Sequence, residues 1–416
     1  MKNILLSVLL LSGIVSNAQI LLQPDRVFDG EEMHENWVVL VENNLITYVG
    51  KAAAIQPTDQ TEIINLKGKT ILPGLIEGHS HMLLHPYDET SWNDQVLKES
   101  PVERAIRGTI HAKNTLLAGV TTTRDLGAEG AGYTDVYLKK TIDIGIIPGP
   151  RMLVAGPAIV ATGAYGPKGF HDGVQVPLGA EAASGVDELI KTVRRQIGKG
   201  ANFIKIYADY RWTTGANSEP TFLQKEIDAM VATATTTGKY VVAHASTPEG
   251  MRRAIKGGVE TIEHGDGGTL EIFKLMKEKG IGFCPTLAAG DAITQYRGWK
   301  KGVDPEPMRI KNKRKSFKLA LDSGVDIVFG GDVGVFAHGE NYRELELMVD
   351  YGMKSLAALK SATSVNARLF HLDKLGSIKK GFLADIIAVE GNPIEEIKAM
   401  RNIKFVMKDG KIYRNE

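Results

Sequence analysis

Six residues of this chain can bind a cation or move a proton and stand in or beside apolar runs. His79 and His81 lie in Gly78-His79-Ser80-His81, directly after the run Ile71–Glu77. Side chains two apart on an extended chain point the same way, so the two imidazoles can share one divalent ion. The same pair also arises without function, on a surface or in a core. Lys205 sits inside Phe203-Ile204-Lys205-Ile206-Tyr207. Burying an ammonium is costly, so it must pair with a carboxylate or snorkel from the strand end. Alternatively its amine is neutral and adds carbon dioxide, giving a carbamate whose oxygens bridge two metals. His244 ends Tyr240-Val241-Val242-Ala243-His244, His264 ends Thr261-Ile262-Glu263-His264, and Asp332 ends Ile327–Asp332. Taken singly, each histidine also fits a satisfied core position, and Asp332 also fits a helix cap.

Apolar strand-like runs alternate with amphipathic stretches through the middle of the chain. The strand candidates are Ile71–Glu77, Val120–Leu126, Met152–Ala155, Phe203–Tyr207, Tyr240–His244, Val259–His264, Gly282–Leu287 and Asp326–Asp332. Helices are expected at 101–118, 134–144, 183–199, 221–238, 247–257, 269–279, 306–323 and 341–361. Eight such units predict an α/β fold, a (β/α)8 TIM barrel, whose strand C-termini meet at one rim. An open, doubly wound sheet is the rival, but no glycine-rich dinucleotide fingerprint follows the first strand. The six residues fall at the ends of strands one, four, five, six and eight, so the barrel would gather them.

Residues 20–70 and 375–416 instead show short alternating segments, with Asn43-Asn44 as a hairpin turn. They predict a small β-sandwich domain built from both termini, 19–72 and 374–416, around a barrel domain of 73–373. Lys2, the apolar run from Ile4 to Val15, and Ser16-Asn17-Ala18 read as a signal peptide over 1–18, cut near Ala18-Gln19. The expected location is the periplasm or the exterior.

Composition narrows the function. Of 416 residues, 43% are apolar and 24% charged, which excludes a disordered or polytopic membrane chain. Lys plus Arg is 50 against 49 acidic residues, so no nucleic-acid or membrane-surface footprint is expected, and the mature form should be free of membrane. The single cysteine, Cys284, excludes a disulfide framework and a multi-cysteine zinc site.

The set His79, His81, Lys205, His244, His264 and Asp332, with Pro73-Gly74-Leu75-Ile76-Glu77-Gly78, resembles the binuclear branch of the amidohydrolase superfamily. Gly258–Gly265, Ala362–Ala367 and Gly376–Asp385 resemble its imidazolonepropionase-like and prolidase-like group. The resemblance implies two divalent ions, zinc by default, with cobalt, manganese or iron also suited. His79, His81, Lys205 and Asp332 would hold one; Lys205, as a bridging carbamate, His244 and His264 the other. Asp332 would move the proton of the attacking hydroxide.

Two segments depart from the prolidase-like pattern. The loop Ala161–Gly173 lacks the usual glycine-histidine run, leaving His171 or Tyr165 to polarise a carbonyl, with a solvent-exposed loop histidine as the other reading of His171. Ala208-Asp209-Tyr210-Arg211-Trp212 replaces a glycine-rich turn. Tyr210 and Arg211 become substrate-binding candidates, Arg211 as a carboxylate fork or else a surface ion pair. His338 is a pocket-lining or capping candidate; His85 and His111 read as structural. The expected activity is hydrolysis of a C–N amide bond in a dipeptide or N-acyl amino acid with a free carboxylate. Alternatives are a cyclic amide of imidazolone type, a lactone or phosphotriester on the same metals, or a non-catalytic metal carrier. Pairing of outer barrel helices would make a homo-oligomer.

Overall fold

A computed structural model describes residues 19–416, so the leader read in 1–18 lies outside the described residues. No helix among the described residues is long and apolar enough to cross a membrane. Seven parallel barrel strands run in order: Leu75–Ser80, Val120–Asp125, Arg151–Val154, Ile204–Tyr207, Val241–Ala245, Thr261–His264 and Gly282–Cys284. Helices on the outside cover them, which is why most of these strands are buried along their whole length. Between the third and fourth strands Asn202 closes the gap. Its backbone N–H donates to Val154 O (2.8 Å), and its side chain accepts from Val154 N (3.0 Å).

The expected eighth strand closes the barrel without becoming regular. Phe283 N donates to Asp326 O (2.9 Å) on one side, and Gly78 N to Phe329 O (2.9 Å) on the other. Regular pairing then stops at Gly330-Gly331. A Cβ on Gly330 would lie 2.5 Å from Cys284 Sγ and 2.9 Å from His79 N. Only glycine lets the two ends of the barrel approach this closely.

The termini form one continuous mixed sheet of eight strands that encloses its own apolar core, which is how it makes the expected sandwich layer. Strand Ile386–Glu390 shows how the layer docks. Alternate side chains face opposite ways: Ile386 and Ala388 pack with Val39, Ile46 and Phe405, while Ile387 and Val389 join the barrel core.

Several expected boundaries move, four of them for a visible reason. Ile71–Pro73 belongs to the terminal sheet, in strand Thr61–Pro73, and the barrel strand begins at Leu75. Gly74 makes the corner; a Cβ there would meet Thr121 at 2.2 Å. Strand seven stops at Cys284, because Pro285 has no N–H to donate, and Leu287–Tyr296 is a helix. The helix expected over 221–238 starts at Gln224, where the Glu226 carboxylate accepts from Leu223 N (2.8 Å). The helix expected over 341–361 breaks after Asp350 around Gly352 (φ +104) and resumes at Ser355.

Candidate active site

A cavity of about 790 Å³ opens at the C-terminal ends of the barrel strands. His79 and His81 enter it from the end of strand one, with ring centroids 5.4 Å apart. Ser80 between them turns away, and its hydroxyl donates to Arg124 O (2.9 Å). Asp332 Oδ1 lies 3.6 Å from His79 Nε2 and 3.4 Å from His81 Nε2. The His264 ring lies 5.1 Å from His79 and 4.5 Å from His244. Lys205 is 1% exposed, and its Nζ lies 5.5 Å from the centre of the Tyr207 ring. Among the described residues no carboxylate lies within ion-pair distance of it, so the paired-lysine reading has no partner here.

Each imidazole is oriented from behind. His79 Nδ1 donates to Glu263 Oε2 (2.9 Å) and His81 Nδ1 to Gly127 O (2.9 Å). Those acceptors place the proton on Nδ1 and leave Nε2 with its lone pair toward Asp332. His264 Nδ1 bonds Thr286 Oγ1 (2.8 Å). His244 Nε2 lies 3.7 Å from Asp209 Oδ1, a carboxylate fixed by Ser246 N, Thr247 N and the Thr247 hydroxyl. Burial, with Lys205 nearby, pushes His79 and His244 well below the usual imidazole range; burial and the neighbouring histidines do the same to His264. All three rings are therefore neutral donors at pH 7. Burial also lowers the Lys205 amine, against the pull of Glu263 and Asp332, and raises the Asp332 carboxyl, against His81 and Lys205.

This donor set fits divalent ions. His79, His264 and Asp332 each offer a ligand atom within 4.8 Å of the others. Neutral imidazoles with outer hydrogen-bond partners, a carboxylate and a buried amine match the ligand chemistry of zinc and its neighbours.

The other expected residues divide. Tyr165, Tyr210 and Arg211 line the cavity. The Tyr165 hydroxyl donates to Glu129 Oε2 (2.9 Å), and the Tyr210 ring lies 4.8 Å from Tyr165. His171 does not reach the cavity. Its side chain is 78% exposed on an outward loop, and its Nδ1 accepts from Gly173 N (3.2 Å). His171 therefore does not stand where it could polarise a carbonyl in the cavity, whereas Tyr165 lines it. His338 is also misplaced as a pocket residue: it is buried, stacks on His111 at 4.3 Å, and bonds Leu84 O (3.0 Å). His85 lies between Glu89 and Glu99, and His111 bonds Met82 O, both as supports.

Several residues escape a reading of the sequence. Glu263 stands beside His264 in an apolar run, and a charged residue there is a usable signal. Glu129, Arg297 and Arg309 also line the cavity, from loops or helices where sequence spacing marks nothing.

Residues 70–413 match the amidohydrolase family. The chain belongs to that family. This amidohydrolase is a hydrolase acting on carbon–nitrogen bonds, and the resemblance read in its sequence holds. It is 30% identical to ochratoxinase of Aspergillus niger over 423 residues, spanning 93% of this chain and 84% of that protein. A crystal structure of a Xaa-Pro dipeptidase with bound methionine in the active site is 34% identical, with a TM-score of 0.84, covering 96% of this chain and all (100%) of that one. A prolidase complexed with N-methylphosphonate-L-proline is 28% identical, with a TM-score of 0.81 and the same coverage, 96% and 100%.

Proposed function

We propose that the amidohydrolase hydrolyses the amide of a dipeptide or N-acyl amino acid that keeps a free α-carboxylate, outside the cytoplasm. The observation that carries this reading is a set of three arginines, Arg211, Arg297 and Arg309, which line the cavity with no ion-pair partner among the described residues. Lys313, also at the wall, is already paired with Asp266. Guanidinium groups without carboxylates suit a planar anion bound in a fork. The methionine and the proline phosphonate in the two relatives support the choice, since both ligands are amino-acid-like.

In this reading His79, His81, His244, His264 and Asp332, with Lys205 as its carbamate, would hold the divalent ions. Bound divalent ions would supply Lewis acidity and lower the pKa of a bound water towards neutrality. Asp332, beside the cluster, takes the proton of the attacking water and delivers it to the leaving nitrogen. The arginines hold the carboxylate. Tyr165, Tyr207 and Tyr210 form an aromatic wall that shields the reacting carbonyl from bulk water.

A library of dipeptides and N-acyl amino acids, each with its C-terminal amide, tests the reading on zinc-loaded protein. Free acids should be preferred by about tenfold to a hundredfold in kcat/KM, the worth of a charge-assisted bond of about 1.5–3 kcal/mol. Arg309→Met should raise KM for the acids. Equal cleavage of acids and amides would remove the carboxylate from the proposal. Silence across the library would return the cyclic-amide, lactone and phosphotriester readings.

A further inference from the structure

Among the described residues the Glu129 carboxylate has no lysine or arginine within ion-pair distance, although the buried Arg104 guanidinium stands nearby. The residue follows the second barrel strand, is 2% exposed, and lines the cavity. Oε2 is satisfied, accepting from Trp92 Nε1 (2.8 Å) and Tyr165 OH (2.9 Å). Among the described residues Oε1 accepts only from the Tyr207 hydroxyl, at 3.5 Å. The nearest ionisable nitrogen is His81 Nδ1 at 4.0 Å, already committed to Gly127 O. Arg104 approaches, but its hydrogen bonds go to the backbone oxygens of Leu83, Ala128 and Glu129. A buried carboxylate with one oxygen under-bonded calls for a cationic partner.

The barrel decides where that partner comes from. Glu129 and Tyr165 belong to the loops after strands two and three. Arg297 and Arg309 lie between strands seven and eight. Strands one and eight, with His79, His81 and Asp332, stand between these groups on the rim. A substrate laid across the cluster thus meets a carboxylate at one end and guanidinium groups at the other.

We propose that Glu129 binds the α-ammonium of a dipeptide, making the enzyme a dipeptidase selective for a free N-terminus over an N-acyl cap. This rests on the proposed amide hydrolysis. The α-ammonium stands two bonds from the scissile carbonyl carbon, so its partner must lie beside the metal-ligand cluster. Glu129 Oε1, next to His81, meets that requirement. An ammonium has three donors, and Oε1 and the Tyr207 hydroxyl offer acceptors for two.

The test uses the metal-loaded full-length enzyme and a panel of dipeptides, each paired with its des-amino analogue. The expected result is a preference of about tenfold or more in kcat/KM for the free amine, carried mainly by KM. In Glu129→Gln the ratio of the two should fall to about one. Wild-type enzyme that cleaves the des-amino compounds as well as the dipeptides would overturn the assignment while leaving amide hydrolysis intact. So would a Glu129→Gln variant that keeps the preference. If neither series is cleaved, the proposed function falls, and this inference with it. Should Glu129→Gln fail to fold, the wild-type ratio alone decides.

Discussion

Glu263→Gln probes how the site is held. In the protein this carboxylate has no exposed surface and bonds three side chains, the Thr261 hydroxyl donating to Oε1 beside Arg124 and His79 donating to Oε2. Oε1 pairs with the Arg124 guanidinium at 3.2 Å, and Oε2 accepts from His79 Nδ1 at 2.9 Å. Arg124 is itself fully buried, bonding Gly78 O (2.8 Å) and stacking on Phe370 at 3.9 Å. Glutamine keeps the shape but offers one acceptor instead of two. If its oxygen faces Arg124, its NH2 faces His79. Nδ1 must then accept, the ring proton moves to Nε2, and the ring presents a hydrogen where a metal needs a lone pair. If the amide turns round, its NH2 opposes the guanidinium and leaves a buried charge without its partner. In both orientations Arg124 loses its buried counter-charge, which costs about 3–5 kcal/mol of stability, and the second adds a donor facing a donor. The first weakens metal binding by about tenfold to a hundredfold.

Either way the variant must lose something measurable. Chelator competition gives the metal affinity, and urea unfolding of the metal-free protein gives the stability. The expected pattern is a clear loss in at least one, with kcat falling wherever metal occupancy falls. A variant with wild-type metal affinity, stability and turnover would refute the claim that Glu263 sets the His79 tautomer and neutralises Arg124.

Three further outcomes are expected. Lys205→Ala should abolish turnover and reduce metal content from about two ions to one or none, measured by elemental analysis; full activity would end the bridging-carbamate reading. Asp332→Asn keeps the shape but cannot take a proton, so kcat should fall by about 10²–10⁴-fold even at saturating metal. Burial raises the Asp135 carboxyl from 3.8 to about 6, so the folded chain holds that proton more tightly than the unfolded one. Its contribution is full below pH 4 and is lost as pH rises through about 6. Urea midpoints at pH 4 and pH 6.5 should therefore differ less in Asp135→Asn than in wild type.

Much of the site was legible because a barrel converts strand ends into a shared location. His79, His81, His244 and His264 each closed an apolar run, and the period of the pattern alone placed them on one rim. The features that the pattern hid are of two kinds. His171 and His338 looked like partners because they are histidines near the right segments. Their positions depend on which way a loop leaves the barrel and which helix it meets: His338 is drawn into a stack with His111, and His171 into solvent. Glu129, Arg297 and Arg309 were hidden for the opposite reason. They reach the cavity from irregular segments or helix turns, where no periodicity marks a direction. The break near Gly352 and the helix at Leu287–Tyr296 escaped likewise, since Pro285 and Gly352 mark where an element stops and carry no signal for the type of the next one.

One property of the cluster is invisible to any pattern of residue types. His264 and Asp332 both have left-handed backbone, with φ of 76° and 63°. Histidine and aspartate tolerate this region better than most side chains, but each such residue costs about 1–3 kcal/mol unless its surroundings hold it. They are held. Asp332 N donates to His79 O (2.8 Å), and Gly331 N to the Glu77 carboxylate (2.8 Å). Gly265 N, directly after His264, donates to Ala245 O (3.1 Å), and Lys313 Nζ donates to His264 O (2.9 Å). Each turn ends its strand at the rim, and both side chains line the cavity. The backbone strain is thus stored at two residues whose direction matters to the chemistry.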